Sequence, residues 1–184
     1  MKIFLTDQKH NLPKLLEGLK EKSVRAYDIN RMTEKVSIIN INQAPSDYKF
    51  LFDYKIFPEN IMTFLTEWKL DNREMNIGDT IVQQIYLPPT RLFSQKVIFG
   101  VRINELIDEP GIRGFSYETL EGHIEKGVST FTLEQKDGET LFKIRTFSTP
   151  GNMFIKIMAP VFSVPYQTFC TTRALKYVKR QIEN

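Results

Sequence analysis

The chain has 184 residues with 41% hydrophobic and 26% charged positions, enough for one domain that buries roughly 70% of its unfolded surface, which excludes a disordered or fibrous chain. The formal charge of +3 comes from 25 basic residues interleaved with 22 acidic ones, so no basic block marks a nucleic-acid partner. The single cysteine, Cys170, excludes an internal disulfide and points to the cytoplasm.

Near the N-terminus, Asp7, Lys9 and Lys14 interrupt any signal-peptide run. Leu12 to Leu19 then predicts a short amphipathic helix carrying Leu15, Leu16 and Leu19, with Asn11 as N-cap and Pro13 in the first turn. Val36 to Ile41 and Tyr48 to Ile56 are rich in β-branched and aromatic residues and read as two strands that pair across a Gln43-Ala44-Pro45-Ser46 turn. From Phe57-Pro58-Glu59 onward, Ile61, Phe64, Leu65 and Trp68 recur at helical spacing and predict a helix ending near Lys69 to Arg73.

Strands are expected at Thr80 to Leu87, Gln95 to Ile107 and Gly111 to Tyr117, broken by Pro88-Pro89 and Pro110-Gly111. Val97, Phe99, Val101 and Ile103 share one face of the middle strand. Asp137-Gly138 joins Gly127 to Gln135 and Glu139 to Phe147 as a hairpin. Beyond Pro150 and Pro160, Ser163 is the expected N-cap of a final helix over Val164 to Ile182, with Phe169, Cys170, Ala174, Tyr177 and Val178 as its apolar stripe. Arg173, Lys176, Lys179 and Arg180 suit its C-terminal end. No apolar run reaches the roughly 18 residues a transmembrane helix needs, Met153 to Pro165 being interrupted by Lys156 and prolines, so membrane contact is at most peripheral. This order describes an α+β domain in which a curved antiparallel sheet wraps the last helix.

Gly114 to His123 reads GFSYETLEGH, followed by Glu125 and Gly127. This GF-x-Y-x-TL-x-GH pattern resembles a bacterial and plant family known as domain of unknown function nineteen-ninety. Trp68, Gly78-Asp79, Phe131, Phe147 with Ser148 and Pro150, and Tyr166-Gln167 support the likeness, which runs from about Tyr48 to Lys179. The resemblance implies a START-like helix-grip fold, shared with the birch-pollen allergen, over residues 48–184, with residues 1–47 as an extension packed on it. It also implies an apolar cavity between sheet and terminal helix, a few hundred Å³ in size. Trp68, Phe64, Gln83, Phe99, Tyr117, Phe142, Phe169 and Tyr177 are the expected lining.

Of the adjacent Gln83 and Gln84, one must face the sheet interior. Tyr117, His123 and Glu125 either form a proton-transfer constellation or serve locally, with His123 spending its ring nitrogens on loop backbone. Arg145 faces away from Phe142 and Ile144, and either binds a carboxylate or phosphate from inside the cavity or sits on a solvated outer face shared with Lys143. His10, His123 and Cys170 are too scattered for a metal site, and no P-loop, GxGxxG or GxSxG motif is present, so neither metal nor cofactor is expected. A binder of a small hydrophobic or amphipathic ligand, a cyclase, hydrolase or isomerase acting on one, and a protein-interaction domain with a filled cavity remain the three readings. Proximity of Tyr117, His123 and Glu125 around an open cavity favours the enzyme.

Overall fold

The computed structural model describes residues 2–87, 94–150 and 153–184, with the side chains of 150 and 153–165 left aside. The expected Pro88-Pro89 break lies outside the described residues. Eight strands form one antiparallel sheet: β1 (Lys2–Phe4), β2 (Thr33–Ile41), β3 (Met62–Thr66), β4 (Thr80–Leu87), β5 (Gln95–Glu109), β6 (Ile112–Thr119), β7 (Glu125–Lys136) and β8 (Glu139–Pro150). Their order is β2-β8-β7-β6-β5-β4-β3. One edge of β5 is shared, taking β1 at Lys96–Ile98 and β6 from Val101 onward. A register shift between Ile103 and Glu105 bends β5 as bulges do. At the β7–β8 turn, Asp137 and Gly138 both have positive φ, 54° and 81°, the signature of the two-residue turn expected there.

The centre of the sheet is buried on both sides. On the outer face, Leu12, Leu16 and Leu19 of α1 (Leu12–Lys20) pack with Val82, Ile98 and Leu120, each full burial contributing about 1.5–3 kcal/mol. Asn11 precedes α1 as expected, but its side chain makes no cap and donates instead to Gln8 Oε1 at 2.9 Å. On the inner face, Phe99, Val101, Ile103, Phe115, Phe131 and Phe142 meet Ala174, Val178 and Ile182 of the last helix, α4 (Met153–Glu183).

Three expectations are overturned. Tyr48 to Ile56 is no strand and does not pair with β2, whose partner is β8 along its whole length. That segment holds the one-turn helix α2 (Lys49–Phe52) and then a turn, and its apolar residues plug the core, with Leu51, Tyr54 and Ile56 fully buried. The helix expected after Phe57 is β3 followed by the single turn α3 (Glu67–Leu70). Phe64 faces the inner core and Leu65 the α1 layer, so burial on both sides erased the alternation that marks a strand. The final helix begins at Met153, ten residues before Ser163, which is therefore no N-cap. Pro160 lies within it, since a proline deletes one backbone hydrogen bond without obliging the flanking turns to end.

Between α3 and β4, Asp79 accepts both guanidinium nitrogens of Arg73 at 2.7 Å and the amide of Asn76 at 2.7 Å, which holds Trp68 and the Gly78-Asp79 turn in place. On the outer face, buried Gln84 accepts from the Gln8 amide at 2.7 Å and donates to Thr63 at 2.7 Å, fixing the N-terminal segment to the sheet. Arg145 also lies on that face, paired with Glu34 at 2.7 Å, as its strand position requires.

Candidate functional site

A cavity of about 210 Å³ lies between the inner face of the sheet and residues Tyr166 to Thr172 of α4. Strand alternation builds its walls: Gln83 and Ile85 project from β4, Phe99 from β5, Tyr117 from β6, Ser129 and Phe131 from β7, Ile144 and Thr146 from β8. Phe57 and Ile61 line it from the segment before β3, Met62 from the first position of β3, and Lys35 and Ser37 from β2. The lining runs out to Thr168 and Thr172, both exposed on α4. One wall is apolar and the other carries hydroxyls and an amide, so the cavity is amphipathic where an apolar one was expected.

The polar wall is a connected set of neutral groups. Gln83 Nε2 donates to the Tyr54 hydroxyl at 2.6 Å. Tyr54, Gln83 and Ser129 all lie within hydrogen-bonding reach of the Tyr117 hydroxyl. Ser129 Oγ and Thr146 Oγ1 are 3.1 Å apart. Burial pushes the Tyr54 and Tyr117 hydroxyls upward in pKa, so both keep their protons. Tyr54 holds its place with φ of 59°, a left-handed conformation costly for a bulky residue and retained beside the cavity wall.

Toward the start of β7 the groups become ionisable. His123 Nδ1 lies 3.0 Å from both the amide nitrogen and the carbonyl oxygen of Glu125, so the ring spends that nitrogen on loop backbone. The His123 ring stands edge-on to Phe99 with centroids 4.1 Å apart. Burial, reinforced by the positive charge of Arg25, lowers its pKa to about 3, so it is neutral at physiological pH. Burial likewise raises the Glu125 carboxyl, with Lys35 and Ser148 opposing the shift. Gln167 bridges the pair, donating to Glu125 Oε1 and accepting from Lys35 Nζ at 2.7 Å. On α4, the Tyr166 hydroxyl donates to the Tyr86 carbonyl at 3.0 Å, and burial pushes the neighbouring Cys170 thiol up to about 11.

Five of the residues singled out from the sequence, Gln83, Phe99, Tyr117, His123 and Glu125, therefore converge on this cavity. Phe64 packs edge-on against Tyr54 at 5.0 Å, while Trp68 and Phe142 are buried in the core outside the cavity lining. Tyr177 is half-buried further along α4, and Phe169 faces outward beneath Arg173, 5.2 Å from its guanidinium. Ser129 and Thr146 were open to discovery, because each stands two residues from a core apolar position, Phe131 and Ile144, on the same strand face. Lys35 carried no such signal. Among the described residues no cluster of three His, Cys, Asp or Glu could hold a metal, and no helix is long and apolar enough to cross a membrane.

Comparison with known proteins agrees with this architecture. A UPF0548 protein of Deinococcus radiodurans is 38% identical over 61 residues, 33% of this chain and 31% of that protein, so the likeness spans under a third of the relative's length. Among solved structures, major latex-like protein 151 of Panax ginseng superposes with a TM-score of 0.59 at 13% identity, covering 82% of this chain and 97% of its own. The KanY protein gives 0.56 at 13% identity, covering 83% of this chain and 99% of its own. A hypothetical protein of Helicobacter pylori gives 0.55 at 13% identity, covering 87% and 96%. At such identities these structures show the fold alone, a START-like helix grip. The profile described as Domain of unknown function (DUF1990) matches residues 48–177, well over half of the chain, and the protein belongs to that family.

Proposed function

We propose that this protein binds a small amphipathic molecule between the sheet and α4, and that binding, with no covalent step, is its activity. The observation that carries the reading is the 210 Å³ cavity with one apolar and one hydrogen-bonding wall. A dry 150 Å³ cavity suffices for benzene, so this one admits a body of on the order of ten non-hydrogen atoms. Cys170, the single cysteine, supports a reducing compartment such as the cytoplasm.

The enzyme reading keeps one observation in its favour, since Tyr117, His123 and Glu125 line the same cavity. Against it, His123 gives Nδ1 to backbone and does not titrate near neutrality. The interaction-domain reading required a filled interior, and the described residues leave space.

Ile144 is 6% exposed and faces the cavity, so Ile144→Trp fills it at an overpacking cost of about 1–3 kcal/mol. Binding of an environment-sensitive apolar dye is expected to fall at least about tenfold in this variant while its far-UV circular dichroism stays native. Native mass spectrometry of wild-type protein purified from cells should show added mass from a retained molecule. A wild-type protein that takes up no apolar probe and carries no extra mass would defeat the binding reading.

A further inference from the structure

We infer that the molecule held here carries a carboxamide, which takes the place of the Gln167 side-chain amide between Lys35 and Glu125 at one end of the cavity. The inference rests on the binding function proposed above and adds the ligand's chemical class.

Among the described residues, Lys35 and Glu125 are the one lysine and the one carboxylate in the cavity lining. They stand on the two strands that flank β8, Lys35 on β2 and Glu125 on β7, and they do not pair directly. Gln167 of α4 fills the gap, its oxygen accepting from Lys35 Nζ at 2.7 Å and its nitrogen donating to Glu125 Oε1. Burial raises the Glu125 carboxyl and Lys35 opposes that rise, so the two charges feel each other across the gap.

An amide suits this place for an electrostatic reason. Its oxygen only accepts and its nitrogen only donates, so one planar group meets a cation at one end and a carboxylate at the other, and both hydrogen bonds are charge-assisted. A ligand carboxylate there would meet Lys35 yet face Glu125, and an ammonium would do the reverse. A hydroxyl has a single oxygen to serve both charges, and a hydrocarbon would strip both of the hydrogen bonds they now have. Gln167 thus shows which chemistry this end of the cavity accepts. Its own position on α4 is half-buried beside the exposed Thr168, so the side chain can turn out to water, whereas Ser148 holds the Glu125 carboxylate in place. An entering carboxamide exchanges one amide for another and keeps both charges satisfied, with its apolar body toward Phe57, Phe99 and Ile144.

The test titrates benzamide, benzyl alcohol, benzoate, benzylammonium and toluene, which share one ring, into the full chain by isothermal titration calorimetry. In the wild type, where Gln167 competes for the gap, benzamide is expected to bind more tightly than benzoate and benzylammonium. Gln167→Ala and Gln167→Ser vacate the gap and should each tighten benzamide at least about tenfold while toluene changes by about threefold or less. Two truncations guard against one failing to fold, and should neither fold, the wild-type order decides. Benzoate or benzylammonium binding the wild type better than benzamide, no gain for benzamide in a folded variant, or a gain of equal size for any of the other four probes would overturn the inference and leave the cavity's binding role standing. If none of the probes binds any form of the protein, the proposed function itself falls, and this inference with it.

Discussion

A Gly127→Val protein is expected to be unfolded under conditions where the wild-type chain is native. Gly127 pairs with Ser148 across β7 and β8 at a φ of 152°, and a Cβ built there would stand 1.9 Å from the Phe147 carbonyl oxygen and 2.9 Å from Ser148 Cα. These are backbone atoms of the paired strand and cannot swing aside as a side-chain tip can. Relief requires β7 and β8 to part where Glu125 and Ser129 enter the cavity wall. The cost should exceed about 4 kcal/mol, a large share of a typical domain's 5–15 kcal/mol. Gly114 is under the same constraint, its Cβ meeting the Phe131 carbonyl oxygen at 2.2 Å. Urea unfolding followed by circular dichroism checks both, and a Gly127→Val midpoint equal to that of the wild type would show the close approach to be dispensable. Gly114 and Gly127 therefore serve the strand pairing that presents Tyr117 and Glu125.

The second large effect is an acid transition governed by His123. Burial lowers this imidazole to about 3 in the folded protein, against an ordinary value of 6.5 when the chain unfolds. The sign follows from proton uptake: below pH ~6.5 the unfolded chain binds a proton that the folded chain refuses. Stability from this group is complete above pH ~6.5 and declines as pH falls toward 3, by about 1.4 kcal/mol per pH unit. His123→Gln removes the titration, keeps an acceptor for the Glu125 amide, and is expected to flatten that slope between pH 6 and 4 at a neutral-pH cost of about 1–2 kcal/mol. Denaturant midpoints across that range decide the matter. An identical acid slope in the variant would mean that His123 is protonated in the native state, which would restore it as a candidate acid or base.

Legibility in the sequence followed the number of sheet faces a segment buries and the chemistry of its turns. The β7–β8 hairpin could be read because Asp137-Gly138 permits one tight turn and fixes the register that follows. In α1 the leucine spacing is a one-sided stripe, and the structure buries that side. Residues 48 to 69 defeated the same reasoning. Leu51 and Tyr54 form a plug with no regular period, and β3 buries Phe64 and Leu65 on opposite faces, so helical spacing arose there by accident. At the site, Gln83, Phe99 and Tyr117 were legible through strand parity. The Tyr54 link to Gln83 was not, because it forms only through a left-handed turn that no pattern of residue types announces.

The long pairing of β2 with β8 bears on how the chain can be divided. The family-matched stretch begins at residue 48, beyond β2. A fragment starting there would lose Lys35 and Ser37 from the cavity lining and expose the unpaired backbone of β8 from Thr140 to Ser148. It would also lose the α1 leucines that cover Val82 and Ile98. A bare strand edge beside uncovered apolar surface is a template for stacking one molecule on the next. The first 47 residues thus cover both the β8 edge and that apolar surface, and the cavity keeps its whole lining only when they are present.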